Sequence, residues 1–206
     1  DYNNPLGHAI ELPAGTTWHE WEQALIDKYG EEAVRESQQK ADNQATDSEL
    51  FDRYKGLMPE DMPETFDDFQ TMKYNDDRDY ERRMRLSKDS SLALPNAKVA
   101  TSADAKFTDF LFNPDHPKGG PKGKAFTIDL GYDVNNWHDL QFAIQKSAAK
   151  FPSRYKRTDE YGDHYEQQLV LKGPNGHLAN VVTGWTAKDG KTWVASAYIK
   201  SPKRGE

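Results

Sequence analysis

Through residues 1–90 the apolar positions recur at helical spacing. Trp18, Trp21, Leu25 and Tyr29 share one face of a predicted helix. Thr17 and Glu20 have the spacing of a capping box at its start, and Gly30 ends it. A polar helix follows to about Asn43. Thr46 and Glu49 form a second box ahead of Leu50, Phe51 and Tyr54, with Gly56 as the stop. Thr65 caps a third amphipathic stretch (Phe66, Phe69, Met72), and Asn75 is read as opening a fourth, with Tyr80 and Met84 inward. Lys88 to Ala105 has no periodic apolar pattern, and its Ser, Ala, Asp and Pro content reads as a linker.

Beyond the linker the pattern changes. Lys106 to Phe112 is predicted as a short helix with Phe107, Phe110 and Leu111 inward. Asn113 to Lys124, rich in Gly and Pro, is predicted as an irregular loop, and Ala125 to Leu130 as a strand. Asn136 caps a helix striped with Trp137, Leu140, Ile144, Ala148 and Phe151, which Pro152 stops. Three strands follow, Tyr165–Lys172, Leu178–Ala187 and Thr192–Ile199, joined by turns at 173–176 and 188–191. The predicted class is α+β: N-terminal short amphipathic helices, then a C-terminal helix packed on an antiparallel β-meander. The predicted division is a helical segment at 1–90, a linker at 91–105 and an α+β domain at 106–206. A meander buries one face against its helix and leaves the other for a ligand.

Charge sharpens that division. Residues 1–100 hold 12 Lys+Arg against 22 Asp+Glu, whereas 101–206 hold 15 against 12, so an acidic half precedes a basic one. The absence of cysteine removes disulfides and thiolate metal sites from consideration. No apolar run reaches membrane-spanning length, and the opening residues read as the interior of a longer protein. The 113–124 loop carries His116, Lys118, Lys122 and Lys124. Its glycine N–H groups suit an anion such as phosphate, although the spacing is not that of a Walker loop. A solvated turn with incidental lysines is the competing reading.

Two stretches carry resemblances. Phe51–Lys55 with Thr65–Asp76 resembles the C-terminal tail of the Mu F-like phage minor head proteins. From Lys106 onward, Lys106-Phe107, Phe110-Leu111, Asn113–Pro117, Gly120–Lys124, Gly131-Tyr132, Gly173–Gly176, Trp185 and Tyr198 resemble an uncharacterised C-terminal domain of bacterial polymorphic toxins and phage-like head proteins. That resemblance implies a toxin tip delivered from a producing cell or phage-like particle into a target-cell cytoplasm and neutralised by a cognate immunity protein. The helix-then-meander layout is similar to the ribonuclease group that includes barnase, EndoU, two colicins and RelE, an analogy of fold alone.

Metal-independent RNA cleavage needs a base for the 2′-hydroxyl, an acid for the leaving oxygen and positive charge at the phosphate. The candidate catalytic set is His116, His164, Lys122 and Thr183, the last if it faces outward. The candidate substrate-binding set is Lys118, Lys124, Arg154, Arg157, Tyr165 and Trp185, with Tyr155 and Tyr161 as further stacking platforms. No metal-ligand spacing stands out, and no cofactor is expected. His8, His19, His138 and His177 read as structural or exposed. RNA, tRNA included, is the expected substrate. The alternative is a non-enzymatic minor capsid module that binds portal or other head proteins or packaged nucleic acid. A toxin with a DNA or nucleotide target also remains open.

Overall fold

The computed structural model describes residues 13, 16, 18–42, 46–57 and 65–200. Two compact units divide at Gln70/Thr71. Among the described residues four α-helices come first: α1 (Trp18–Tyr29), α2 (Glu31–Asp42), α3 (Asp47–Leu57) and α4 (Phe66–Lys88). Residues 66–70 of α4 belong to the first unit and 71–88 to the second. In the first unit Leu25, Val34, Leu50, Phe51 and Phe69 are buried, and the Phe51 ring lies 5.4 Å from that of Phe69. The capping box of α3 forms: Glu49 accepts the Thr46 N–H at 2.8 Å, and the Thr46 hydroxyl accepts the Glu49 N–H at 3.3 Å. Thr65 caps α4 through the Asp68 N–H. The box expected at Thr17 lies outside the described residues.

Asn75 does not start a new helix. It is buried within α4, where its amide donates to Thr71 O one turn back and to Leu178 O. A polar side chain that reads as a cap has instead found tertiary acceptors.

The second unit is built on one antiparallel sheet in the order β1 (Ser153–Asp159), β2 (Gly162–Lys172), β3 (Leu178–Lys188), β4 (Lys191–Ile199). The expected mixed α+β class, with a meander packed against helices, is what the structure has. One face of the sheet carries Leu169, Leu171, Val181, Trp185, Val194 and Ala197 into the core. They pack with Phe126 and Leu130 of α5 (Gly119–Leu130), Leu140 and Ile144 of α6 (Trp137–Ser147), and Phe107 and Leu111 of a π-helix (Lys106–Leu111). Residues 91–105, read from sequence as a linker, hold two single-turn 3-10 helices, at Ser90–Leu92 and Ala97–Val99. Leu94 and Ala100 join the core, and Thr101 bridges to Trp193 beside β4.

Further expectations are corrected, and one unforeseen strand appears. Residues 119–130 form helix α5 rather than loop and strand. Pro121 falls in its first turn, where a backbone N–H has no intrahelical acceptor to lose. The glycines serve close packing: a Cβ on Gly119 would meet Phe110 O at 2.0 Å, and one on Gly123 would meet Leu111 O at 1.7 Å. The run Ser153–Asp159 is a strand that the sequence hides. It is an edge strand whose side chains are mostly exposed, so it shows no alternation of apolar and polar residues. Finally, the Asn136 side chain does not cap α6. It accepts from Asp133 N–H and donates to Gly131 O, closing the preceding turn.

Candidate active site on the outer face of the sheet

Side chains alternate along β2, and the outward set comprises His164, Glu166 and Gln168. Across the sheet they stand opposite Thr186, Gly184 and Val182 of β3, and on the other side opposite Arg157 and Arg154 of β1. Arg154 and Arg157 are three residues apart and would face opposite sides of a regular strand. A bulge between Tyr155 and Arg157 absorbs Lys156 and returns Arg157 to the outer face. One surface thus holds an imidazole, a carboxylate and two guanidiniums. Gly184, facing Glu166, adds no side chain there, and a Cβ on it would meet Ser196 Oγ at 2.7 Å. Arg82 of α4 occupies the far end of this face. It donates to Gln168 O, Gln168 Oε1 (2.9 Å) and Asn180 Oδ1 (2.6 Å), and burial lowers its pKa.

Acid–base pairs organise the open end. Arg154 Nη2 lies 3.3 Å and Lys156 Nζ 3.6 Å from the Glu166 carboxylate. His164 Nε2 lies 2.8 Å from Asp159 Oδ1, while Arg157 donates to Asp159 Oδ2 and the Tyr161 N–H donates to Oδ1 at 2.9 Å. His164 Nδ1 faces the Thr186 hydroxyl at 3.4 Å. The His164 hydrogen bond above all, then the Tyr161 amide and the Arg157 guanidinium, holds the Asp159 carboxyl at about 2. Arg154, Lys156 and Arg157 are therefore matched by acids of the same hairpin, and Arg154 and Arg157 remain about two-thirds exposed.

The other sequence candidates fall elsewhere. Thr183 and Trp185 point into the core and are wholly buried, and the Trp185 indole N–H donates to Thr183 Oγ1 at 2.9 Å. Neither offers a surface to a ligand, which corrects their assignment to catalysis and base stacking. Tyr165 is on that inner side as well, edge-on to Tyr155 at 5.8 Å; burial first, then Asp163 and Tyr155, raises its pKa. His116 sits before α5. Its Nδ1 accepts the N–H groups of Gly119 (3.0 Å) and Lys118 (3.3 Å), and its carbonyl accepts that of Gly120. The Gly119 and Gly120 amides, expected to cradle an anion, are already used. Lys122 lies over the Phe110 and Tyr198 rings, 5.6 Å from each centroid, and His116 packs edge-on to Phe110. Lys118 and Lys124 are exposed on the same segment.

The structure holds the two histidines on different elements, His116 at the start of α5 and His164 on β2. Their hydrogen-bonding partners share no residue. Tyr198, against Lys122, is level with Gln168, four residues and about 13 Å along the strands from His164. Sequence reasoning missed Glu166 and Asp159. His164-x-Glu166 within a strand was a readable signal, since period-two spacing puts both on one face. Asp159 needed the hairpin register, which the unrecognised β1 concealed.

Among the described residues no three His, Asp or Glu side chains gather as a metal-binding group, and no helix is long and apolar enough to cross a membrane. Neither the curated proteins nor the solved structures contain a match to the chain. Residues 93–201 cover the sheet, α5, α6 and the π-helix; they match the domain of unknown function DUF6883, and the chain belongs to that family.

Proposed function

We propose that the second unit is a toxin effector, a ribonuclease that cleaves cellular RNA without a metal and is held in check by a cognate immunity protein. The observation that carries the reading is the placement of Glu166 and His164 on one face of β2, about 6.6 Å apart along the strand, with Arg154 and Arg157 beside them. That spacing suits a base and an acid serving one phosphodiester. Glu166 takes the 2′-hydroxyl proton, the 2′-oxygen attacks phosphorus, the P–O5′ bond breaks, and His164 protonates the departing 5′-oxygen. The products are a 2′,3′-cyclic phosphate and a 5′-hydroxyl. Arg154, Lys156 and Arg157 counter the charge that develops on phosphorus. Exposed Tyr161 at the hairpin tip provides a ring for a neighbouring base. Action in a target-cell cytoplasm after delivery follows from the toxin resemblance.

The test is inducible expression of the full chain in bacteria, with total RNA resolved at early times. Growth arrest with discrete RNA fragments is expected, lost in Glu166→Gln and His164→Ala variants that keep the wild-type circular dichroism. Arrest with intact RNA would retire the chemistry. Unimpaired growth with folded protein would favour the capsid-module reading.

A further inference from the structure

Three donors converge on Asp159: His164 Nε2 and the Tyr161 N–H at Oδ1, and the Arg157 guanidinium at Oδ2. Both oxygens of one anion are thus held, each by a cationic or cation-forming side chain. Two of these donors, His164 and Arg157, are those that serve the RNA phosphate in the reaction proposed above, and this inference rests on that reading. We propose that the Asp159 carboxylate occupies the phosphate subsite of the resting protein, and that a substrate phosphate takes its place.

The surroundings are consistent with displacement. Asp159 lies on an exposed hairpin, so its carboxylate can rotate outward without disturbing the core. Its ionised form persists well into acid, so the internal anion is present whenever the site is. A phosphate brings more acceptor oxygens and more charge than a carboxylate, and an arginine fork binds it in two-point geometry. The neighbouring pair repeats the arrangement: Glu166 holds Arg154 and Lys156 until a polyanion competes for them. Such a face is self-neutralised at rest. It favours a chain of phosphates, which can take over several cations at once, above a single small anion.

The alternative role for Asp159 is to orient His164, and the two roles predict opposite results. The experiment titrates inorganic phosphate into the full-length wild type, Asp159→Asn and Asp159→Asn/Arg157→Gln. Binding is followed by isothermal calorimetry and by the imidazole resonances of His164. Asparagine keeps an acceptor for the Tyr161 N–H, so the turn persists. Asp159→Asn is expected to bind phosphate at least ten-fold more tightly than wild type, with His164 shifting on titration, and the double variant is expected to lose the gain. Equal affinity in wild type and Asp159→Asn overturns the proposal, as does undiminished binding in the double variant. Because no RNA is involved, the result stands apart from whether the protein cleaves RNA. If cleavage is confirmed, Asp159→Asn is expected to lower KM for RNA, whereas a residue that merely orients His164 would lower kcat.

Discussion

His116 Nδ1 accepts the backbone N–H of Gly119 at 3.0 Å, so an imidazole closes the start of α5. The ring is fixed from the other side by Phe110. Removing such a cap costs about 0.5–2 kcal/mol in comparable settings. His116→Ala is expected to lower the urea midpoint by a corresponding amount, and His116→Asn to recover part of it. An unchanged midpoint in His116→Ala would show that the contact contributes nothing.

Asp159 imposes a pH dependence of known sign. Its carboxyl is held at about 2 in the folded protein, below its unfolded value, so the unfolded chain takes up the proton first. The stabilisation is complete above the ordinary carboxylate value of about 4 and disappears as pH falls through the folded value. Stability measured along the acid limb should therefore fall less steeply in Asp159→Asn than in wild type. Added salt should narrow the difference, because the pair is exposed. Parallel acid limbs would contradict the assignment.

Gly123 allows α5 to lie directly on the π-helix. A Cβ there would meet Leu111 O at 1.7 Å, a contact with backbone that cannot rotate away. Gly123→Ala is expected to cost about 3 kcal/mol, the upper range for overpacking. Lys124→Ala, exposed on the same helix, should change stability by less than about 0.5 kcal/mol. Thermal unfolding of the two variants separates a packing glycine from a flexible one.

Arg82 ties the C-terminal part of α4 to the sheet through neutral oxygens of Gln168 and Asn180. Its loss should cost about 2 kcal/mol, in keeping with hydrogen bonds to a charged group. Lysine should rescue poorly, because one ammonium cannot reproduce the fork. Amide exchange in residues 178–182 reports the same change locally and should accelerate in Arg82→Ala.

Local chemistry carried much of the architecture. Apolar periodicity placed α1 and α6, hydroxyl-plus-carboxylate spacing placed the cap at Thr46, and alternation placed β2 to β4. These signals involve residues within one or two turns of each other, so a linear reading contains them. Glycine and proline misled between 113 and 130. Their local meaning is a break, yet Gly119 and Gly123 are small because another segment's backbone passes against them, and Pro121 sits where a helix tolerates it.

The candidate site divides the same way. The sequence by itself determined a basic half with histidines and arginines in it, and a strand from Tyr165 to Lys172. Only the tertiary structure decided which of them share a surface. The bulge at Lys156 brought Arg157 beside Arg154, and the hairpin register delivered Asp159 to His164. The inward pleat of β3 hid Thr183 and Trp185, and α5 claimed His116 for its own N-terminus. The physical reason is that strand residues choose a face in steps of one residue. A single bulge or a missed edge strand therefore reassigns every side chain beyond it, and that information resides in the pairing between strands rather than within any one of them.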